Sequence, residues 1–400
     1  MKAVFGSNVT WLPYTGRVVN LLTIEDGTFE YYSNVTEKTE SYTFDYDENW
    51  FFESGSRYHH SLAQTSMAVS LAASSESSTS IKKMLDTMGF SNVEDHYVTP
   101  GEDTIGYVIG SKIVNNDFGE QLTLVSVAIR GGGYGSEWAS NMTIGTSTEH
   151  QGFSKASGEV VAAVKAYLKK TEKTDGTILW ITGFSRAAAV ANLSAHTLAT
   201  EAKAGKISGL NEHAVIAYCF ACPRGVRTDH AGYADNCGNI YNIVNPTDLV
   251  PLVAPAAWDF ERYGVTYYLP SAELNYRKFN AGYSAMKKEY QKILAGANSD
   301  AQVSKLTGYA QNHRKKLTNS INAIAAYFEN QNAYVQNHQS NIRRAFASNQ
   351  ENGAGGLVGV MLGVLPGFVK SNPAAAAELL GVASYVGNNH YHELYISWMN

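Results

Sequence analysis

The chain has 400 residues, 44% hydrophobic and 17% charged, which suffices for one elaborated domain or two with a sizeable core. A net charge of −5, with no run of Lys and Arg, leaves no basic footprint for nucleic acid and no polybasic lipid patch. Three cysteines do not make a disulfide framework, and no stretch reaches the roughly 20 apolar residues of a membrane span.

The first 50 residues alternate polar with β-branched and aromatic side chains, as in Arg17-Val-Val-Asn-Leu-Leu-Thr-Ile and Thr28-Phe-Glu-Tyr-Tyr. This pattern predicts a strand pair or sheet extension. No apolar stretch of the signal-peptide kind is visible at the start. Low lysine content with many Tyr, Ser and Asn still suggests an extracellular protein, the cytoplasm being the alternative. Residues 58–73 place Leu62, Met67, Val69 and Leu71 in a helix, and after a Ser-rich break residues 81–90 form a shorter one.

From residue 104 strands alternate with helices, which implies a mainly parallel sheet covered on both faces. Leu122-Thr-Leu-Val-Ser-Val-Ala-Ile-Arg130 reads as a buried strand that breaks into Gly131-Gly132-Gly133-Tyr134-Gly135. No Lys-Ser pair follows that loop, so a nucleotide-binding P-loop is poorly supported. Glu137, Trp138 and Asn141 come next, then His150-Gln-Gly-Phe153 and a helix over 158–170. Ile178-Leu-Trp-Ile-Thr-Gly-Phe-Ser-Arg-Ala187 runs an apolar strand into Ser185 and an alanine-rich helix to residue 203. A serine at that junction has an exposed hydroxyl above a helix N-terminus, the geometry of a nucleophile elbow. An ordinary tight strand-to-helix turn has the same local sequence. Ala214-Val-Ile-Ala-Tyr-Cys-Phe-Ala221 ends in Cys222-Pro223-Arg224-Gly225, and Ile240-Tyr-Asn-Ile-Val244 ends in Asn245-Pro246-Thr247-Asp248, with Val250-Pro251 beyond.

Residues 271–372 exceed any ordinary loop. Within them 283–294 and 306–330 read as helices bearing aromatic residues, followed by 332–347 and the Gly-rich run 352–356. Then comes His390-Tyr-His392-Glu393-Leu-Tyr395.

In order, these segments resemble the class 3 lipases, a branch of the α/β-hydrolases. The matching landmarks are the strand ending in Arg-Gly, the acidic-Trp pair with a later Asn, His-x-Gly-Phe and the serine elbow. Phe-x-x-Pro-Arg, Asp-x-Val-Pro and a late His complete the set, and residues 57–90 resemble the leading helices of many bacterial members. The likeness covers roughly residues 120–270 and 375–400. It implies an α/β-hydrolase core at 104–270 and an N-terminal strand and helix extension at 1–103. A helical cap insertion at 271–372 and a C-terminal core element at 373–400 complete the plan.

The resemblance further implies a serine ester hydrolase that acts through an acyl-enzyme. Ser185 is the nucleophile, Asp248 the orienting acid and His390 the base, in the chain order of α/β-hydrolases. His390 is preferred because Glu393 and Tyr395 follow it at the family's offsets; His392, three residues before Tyr395, is the alternative base. Asp248 could otherwise be a turn aspartate after Pro246. The oxyanion hole would consist of the N–H groups of Gly132 and Arg186. Three departures stand out: Gly132 replaces the usual Thr or Ser, Phe184 a common His, and Ala187 the second elbow glycine. The substrate would be a lipid or other small ester, with transient contact at a lipid interface, no cofactor and no metal. The insertion is expected to form a cap, with 355–368 facing an acyl chain, rather than a hairpin that only buttresses the core. Cys219 and Cys222 read as buried small residues or, less simply, a redox pair. The competing readings are a catalytically weak lipase-like surface or binding module, and an acyltransferase using the same triad.

Overall fold

The computed structural model describes residues 18–19, 22–53, 57–101, 104–116, 121–131, 137, 139–145, 147–171, 174–230, 232–293, 313–329 and 366–400. The expectations for Gly132, for the glycine loop to residue 136, for Trp138, for 332–347 and for the 352–356 run fall outside these residues, as does nearly all of 355–368.

Eight strands form the central sheet: β1 (Val18–Val19), β4 (Ser91–Asp95), β5 (Tyr107–Asn116), β6 (Gln121–Ile129), β7 (Gly176–Phe184), β8 (Leu210–Phe220), β10 (Ile240–Val244) and β12 (Val265–Tyr268). From β6 through β7, β8 and β10 to β12 every pairing is parallel. β5 lies antiparallel to β6, and β1 and β4 both pair antiparallel with the far edge of β5. The sheet is therefore mixed. Its parallel part is what brings several strand ends to one edge, where open α/β sheets place their sites.

Alternation along β7 shows why the sheet needs cover on both sides. Ile178 and Trp180 pack with α2 (His60–Ala73), α3 (Thr79–Thr87) and the antiparallel hairpin of β2 (Thr23–Ser33) and β3 (Lys38–Asp47). Leu179 and Ile181 point the other way, into α4 (Gln151–Lys170) and α5 (Arg186–Lys203). The hairpin is joined to the core by the buried Lys112–Glu48 ion pair. Lys112 Nζ lies 4.7 Å from the centre of the Tyr46 ring and 4.9 Å from that of Phe90. The two small strands β9 (Val226–Arg227) and β11 (Phe260–Glu261) pair with each other beside the core.

The N-terminal stretch thus gives the sheet strands β1 and β4 as well as a helical layer. No helix among the described residues is long and apolar enough to cross a membrane. The described part of the insertion comprises α6 (Tyr276–Ile293), α7 (His313–Glu329) and α8 (Pro366–Ser371). α6 packs on α10 (His392–Met399), while α7 packs on α9 (Pro373–His390) and the turn at Ala256–Trp258. Both contacts adjoin the segment that carries His390.

Candidate active site

Ser185 stands between the last residue of β7 and the first of α5, with φ 61° and ψ −128°. A non-glycine residue held there costs about 1–3 kcal/mol and persists only where its surroundings enforce it. Two contacts do so: Ser185 N–H donates to Phe220 O at 2.9 Å, and Ser185 O accepts from Ala188 N–H at 2.9 Å. Gly183 is required, because a Cβ on it would stand 2.5 Å from the carbonyl oxygen of Ala187. The methyl group of Ala187 itself lies in the apolar layer between the sheet and α5, so the departure from glycine is absorbed by packing.

Asp248 follows β10 through a turn built by Asn245, whose side-chain oxygen accepts the N–H of Thr247 at 3.1 Å and its hydroxyl at 2.8 Å. Asp248 Oδ1 accepts Val250 N–H at 2.9 Å, and Oδ2 accepts the Tyr395 hydroxyl at 2.8 Å. The chain beyond is fixed by arginines: Arg224 donates to Leu252 O at 3.0 Å, and Arg262 donates to Pro251 O and to Cys222 O. This is the local work of the Pro-Arg element that follows β8.

His390, the last residue of α9, completes the set. Its Nδ1 lies 2.8 Å from Asp248 Oδ2 and its Nε2 2.8 Å from Ser185 Oγ. A carboxylate accepts, which assigns the proton to Nδ1 and leaves Nε2 to accept from the serine hydroxyl. Ser185 is 3% exposed, Asp248 0% and His390 8%, so the three groups meet in a largely water-excluded place.

The structure thus brings Ser185, Asp248 and His390 into one hydrogen-bonded chain. His392 is excluded from it. Its ring stacks on Phe184 at 3.8 Å, and its Nε2 pairs with Ser74 Oγ at 3.0 Å. Burial and the neighbouring His390 push its pKa down to about 3, which keeps the ring neutral.

Arg186 opens the first turn of α5, where backbone N–H groups precede any intrahelical acceptor. Its side chain is anchored away from the serine, donating to Ser140 Oγ at 3.1 Å and Thr104 O at 2.9 Å. Arg130 and Glu137, which flank the glycine run in sequence, form a buried ion pair of 2.5 Å. His150 stacks on Phe153 at 4.0 Å, and its Nε2 lies 3.1 Å from Asn141 O. Among the described residues no group of three or more His, Cys, Asp or Glu is placed to hold a metal. Burial pushes the thiol of Cys222 up to about 12 and that of Cys219 well above its ordinary value, which favours inert thiols.

Two groups escaped the sequence reading. Asn389 Oδ1 lies 2.6 Å from Thr247 Oγ1, whose one proton it shares with Asn245 Oδ1, and its backbone oxygen accepts from Asn245 Nδ2 at 3.1 Å, tying the residue before His390 to the turn that carries Asp248. The Asn-Pro-Thr-Asp turn was a signal for the first half of this contact, but nothing local pointed to Asn389. Tyr395 was read only as an offset marker, yet its hydroxyl holds Asp248 and accepts Asn245 N–H at 3.0 Å. A hydrogen bond to a charged group contributes about 1.5–3 kcal/mol. Tyr395→Phe is therefore expected to lower kcat roughly tenfold with KM little changed; steady-state kinetics with equal kcat would contradict this.

Three imidazoles, His392 and His150 buried and His196 half-buried, also set a pH dependence of stability. Burial holds His392 at about 3 and both His150 and His196 at about 4. Their folded values lie below the unfolded value near 6.5, so the stability they allow is complete above that pH and is lost as pH falls towards 4. Buried Glu393 and half-buried Glu149, whose pKa values are raised chiefly by desolvation, act in the opposite sense over the acidic part of the range. Urea unfolding is expected to show lower stability at pH 5 than at pH 7, with roughly two to three protons taken up by these imidazoles on unfolding at pH 5. His392→Gln should remove about one proton from that uptake; an unchanged pH slope would contradict the assignment.

Residues 126–258, about a third of the chain, match the family model described as Lipase (class 3). No curated protein matches the chain. Among solved structures, the lipase–propeptide complex of Rhizomucor miehei is similar at 21% identity and TM-score 0.38, over 53% of this chain and 68% of that one. A triacylglycerol lipase described as having a serine protease triad is similar at 21% identity and TM-score 0.39, over 54% and 83%. The lipase of Rhizopus microsporus var. chinensis is similar at 20% identity and TM-score 0.35, over 52% and 73%. By strand order and by the family match, the core has an α/β-hydrolase fold that resembles the lipases of class 3.

Proposed function

We propose that the protein is a serine hydrolase of carboxylic esters. The observation that carries this reading is the unbroken chain Asp248 Oδ2–His390 Nδ1 and His390 Nε2–Ser185 Oγ, each link 2.8 Å. In the proposed cycle Ser185 Oγ attacks the ester carbonyl carbon as His390 Nε2 takes its proton, while Asp248 stabilises the imidazolium and its orientation. The tetrahedral oxyanion is received by the N–H of Arg186 and by that of Gly132. His390 then gives its proton to the departing alkoxide, leaving the acyl group on Ser185. A water molecule, deprotonated in turn by His390, releases the acid and restores the serine.

A lipid or another small ester is the substrate class that fits the lipase-like core and the absence of a basic footprint. The insertion is proposed to act as a cap. In support, Ser185 is 3% exposed, and α6 and α7 pack on the helices flanking His390. An ester can then reach the serine only when neighbouring segments move. A panel of p-nitrophenyl esters from acetate to palmitate tests both statements. Turnover that depends on Ser185, with efficiency rising beyond butyrate, is the expected result. Turnover that survives removal of Ser185 would overturn the hydrolase reading, and a flat chain-length profile would remove the acyl-facing cap.

A further inference from the structure

The carboxyl group of Glu393, three residues beyond His390, takes no part in the cycle above, yet it is buried and held by a residue remote in sequence. It is 2% exposed, and Ser33 Oγ donates to its Oε1 at 2.6 Å across 360 positions of sequence. The same serine oxygen accepts the N–H groups of Val35 and Thr36, each at 3.2 Å, so it also builds the turn between β2 and β3. Tyr31 of β2 and Tyr290 of α6 are buried beside it. The Glu393 charge adds to burial in raising both phenols. Two segments remote in sequence, β2 with its turn and α6, therefore converge on one carboxyl group at the start of α10.

The other end of α10 is held as well. His60 Nε2 lies 2.8 Å from Met399 O, and Gln64 Nε2 donates to the same oxygen at 3.0 Å. Between these anchors lies Tyr395, which binds the very oxygen of Asp248 that His390 binds. Two groups five positions apart must reach one atom together, which they can do only if the backbone between them is rigid.

We infer that Glu393 is a positioning residue: the N-terminal hairpin, through Ser33, fixes α10 so that His390 and Tyr395 meet Asp248 Oδ2 at once. The inference rests on the hydrolase reading and extends the apparatus to a part of the chain far from the chemistry. A misplacement of about 1 Å in such an arrangement can cost on the order of a hundredfold in rate.

The test compares wild type with Ser33→Ala, Glu393→Leu, Glu393→Gln and the Ser33→Ala/Glu393→Leu double variant. Three quantities are read: the rate of covalent labelling of Ser185 by a fluorophosphonate, kcat and KM for p-nitrophenyl butyrate, and the unfolding midpoint. Ser33→Ala and Glu393→Leu are expected to slow labelling and kcat by about ten- to a hundredfold with KM little changed. Glu393→Gln keeps an oxygen that can accept from Ser33 and should restore most of the rate. The double variant should be no slower than Glu393→Leu alone, because both changes break one contact. A folded Ser33→Ala labelled at the wild-type rate overturns the inference, even should Glu393→Leu fail to fold, since a merely structural role moves only the midpoint. Absence of labelling in wild type defeats the hydrolase reading itself and the inference with it, an outcome distinct from the first.

Discussion

Ser185→Ala is expected to reduce ester turnover to background while the protein stays folded. Loss of a serine nucleophile costs on the order of a million-fold in turnover, leaving a residue of about 10³–10⁴ over water from oxyanion binding and substrate positioning. The substitution removes one oxygen from a side chain that, among the described residues, is hydrogen-bonded to His390 Nε2. The backbone bonds that hold the elbow, Ser185 N–H to Phe220 O and Ala188 N–H to Ser185 O, are untouched. Stability should therefore change little. Circular dichroism and a thermal midpoint near wild type, together with turnover below a thousandth, form the expected pair. Retention of more than a tenth of the activity would remove Ser185 from the mechanism.

The two histidines separate in a second experiment. His390→Ala removes the proposed base and should collapse turnover to a level near that of Ser185→Ala, since residues that act as a unit fail together. His392→Ala leaves the Ser185–His390–Asp248 chain standing but empties the space against Phe184 and removes one of the two hydrogen bonds of the Ser74 hydroxyl. Its expected cost is mainly one of packing, about 1–3 kcal/mol of stability, with a modest loss of rate. A collapse confined to His392→Ala would move the base; indifference to both would refute the triad.

These two residues also show what the sequence could and could not convey. Elements with strong periodicity or punctuation were legible: β10 was read at its observed bounds, Ile240–Val244, and β7 to within two residues at its start. The elbow was legible because Gly183, Ser185 and the alanine run state a backbone geometry locally. The choice between His390 and His392 rested on resemblance alone, for two imidazoles two residues apart differ only in what the fold packs beside them. β4 and the antiparallel placement of β5 were missed, because Ser91–Asp95 is short and polar and carries no alternating apolar pattern. Asn389, Tyr395 and Glu393 act through partners more than 140 positions away, at Thr247, Asp248 and Ser33. Such contacts leave no local signature, so composition and period carry no trace of them.

The central claim is that Ser185 is made nucleophilic by His390 and Asp248, and covalent capture measures this most directly. Wild type treated with a fluorophosphonate and digested should yield one stoichiometric adduct, on the peptide that contains Ser185. His390→Ala under the same conditions should yield almost none. No adduct in wild type, or an adduct on another residue, would contradict the account and favour a lipase-like fold that has kept the arrangement without the reactivity.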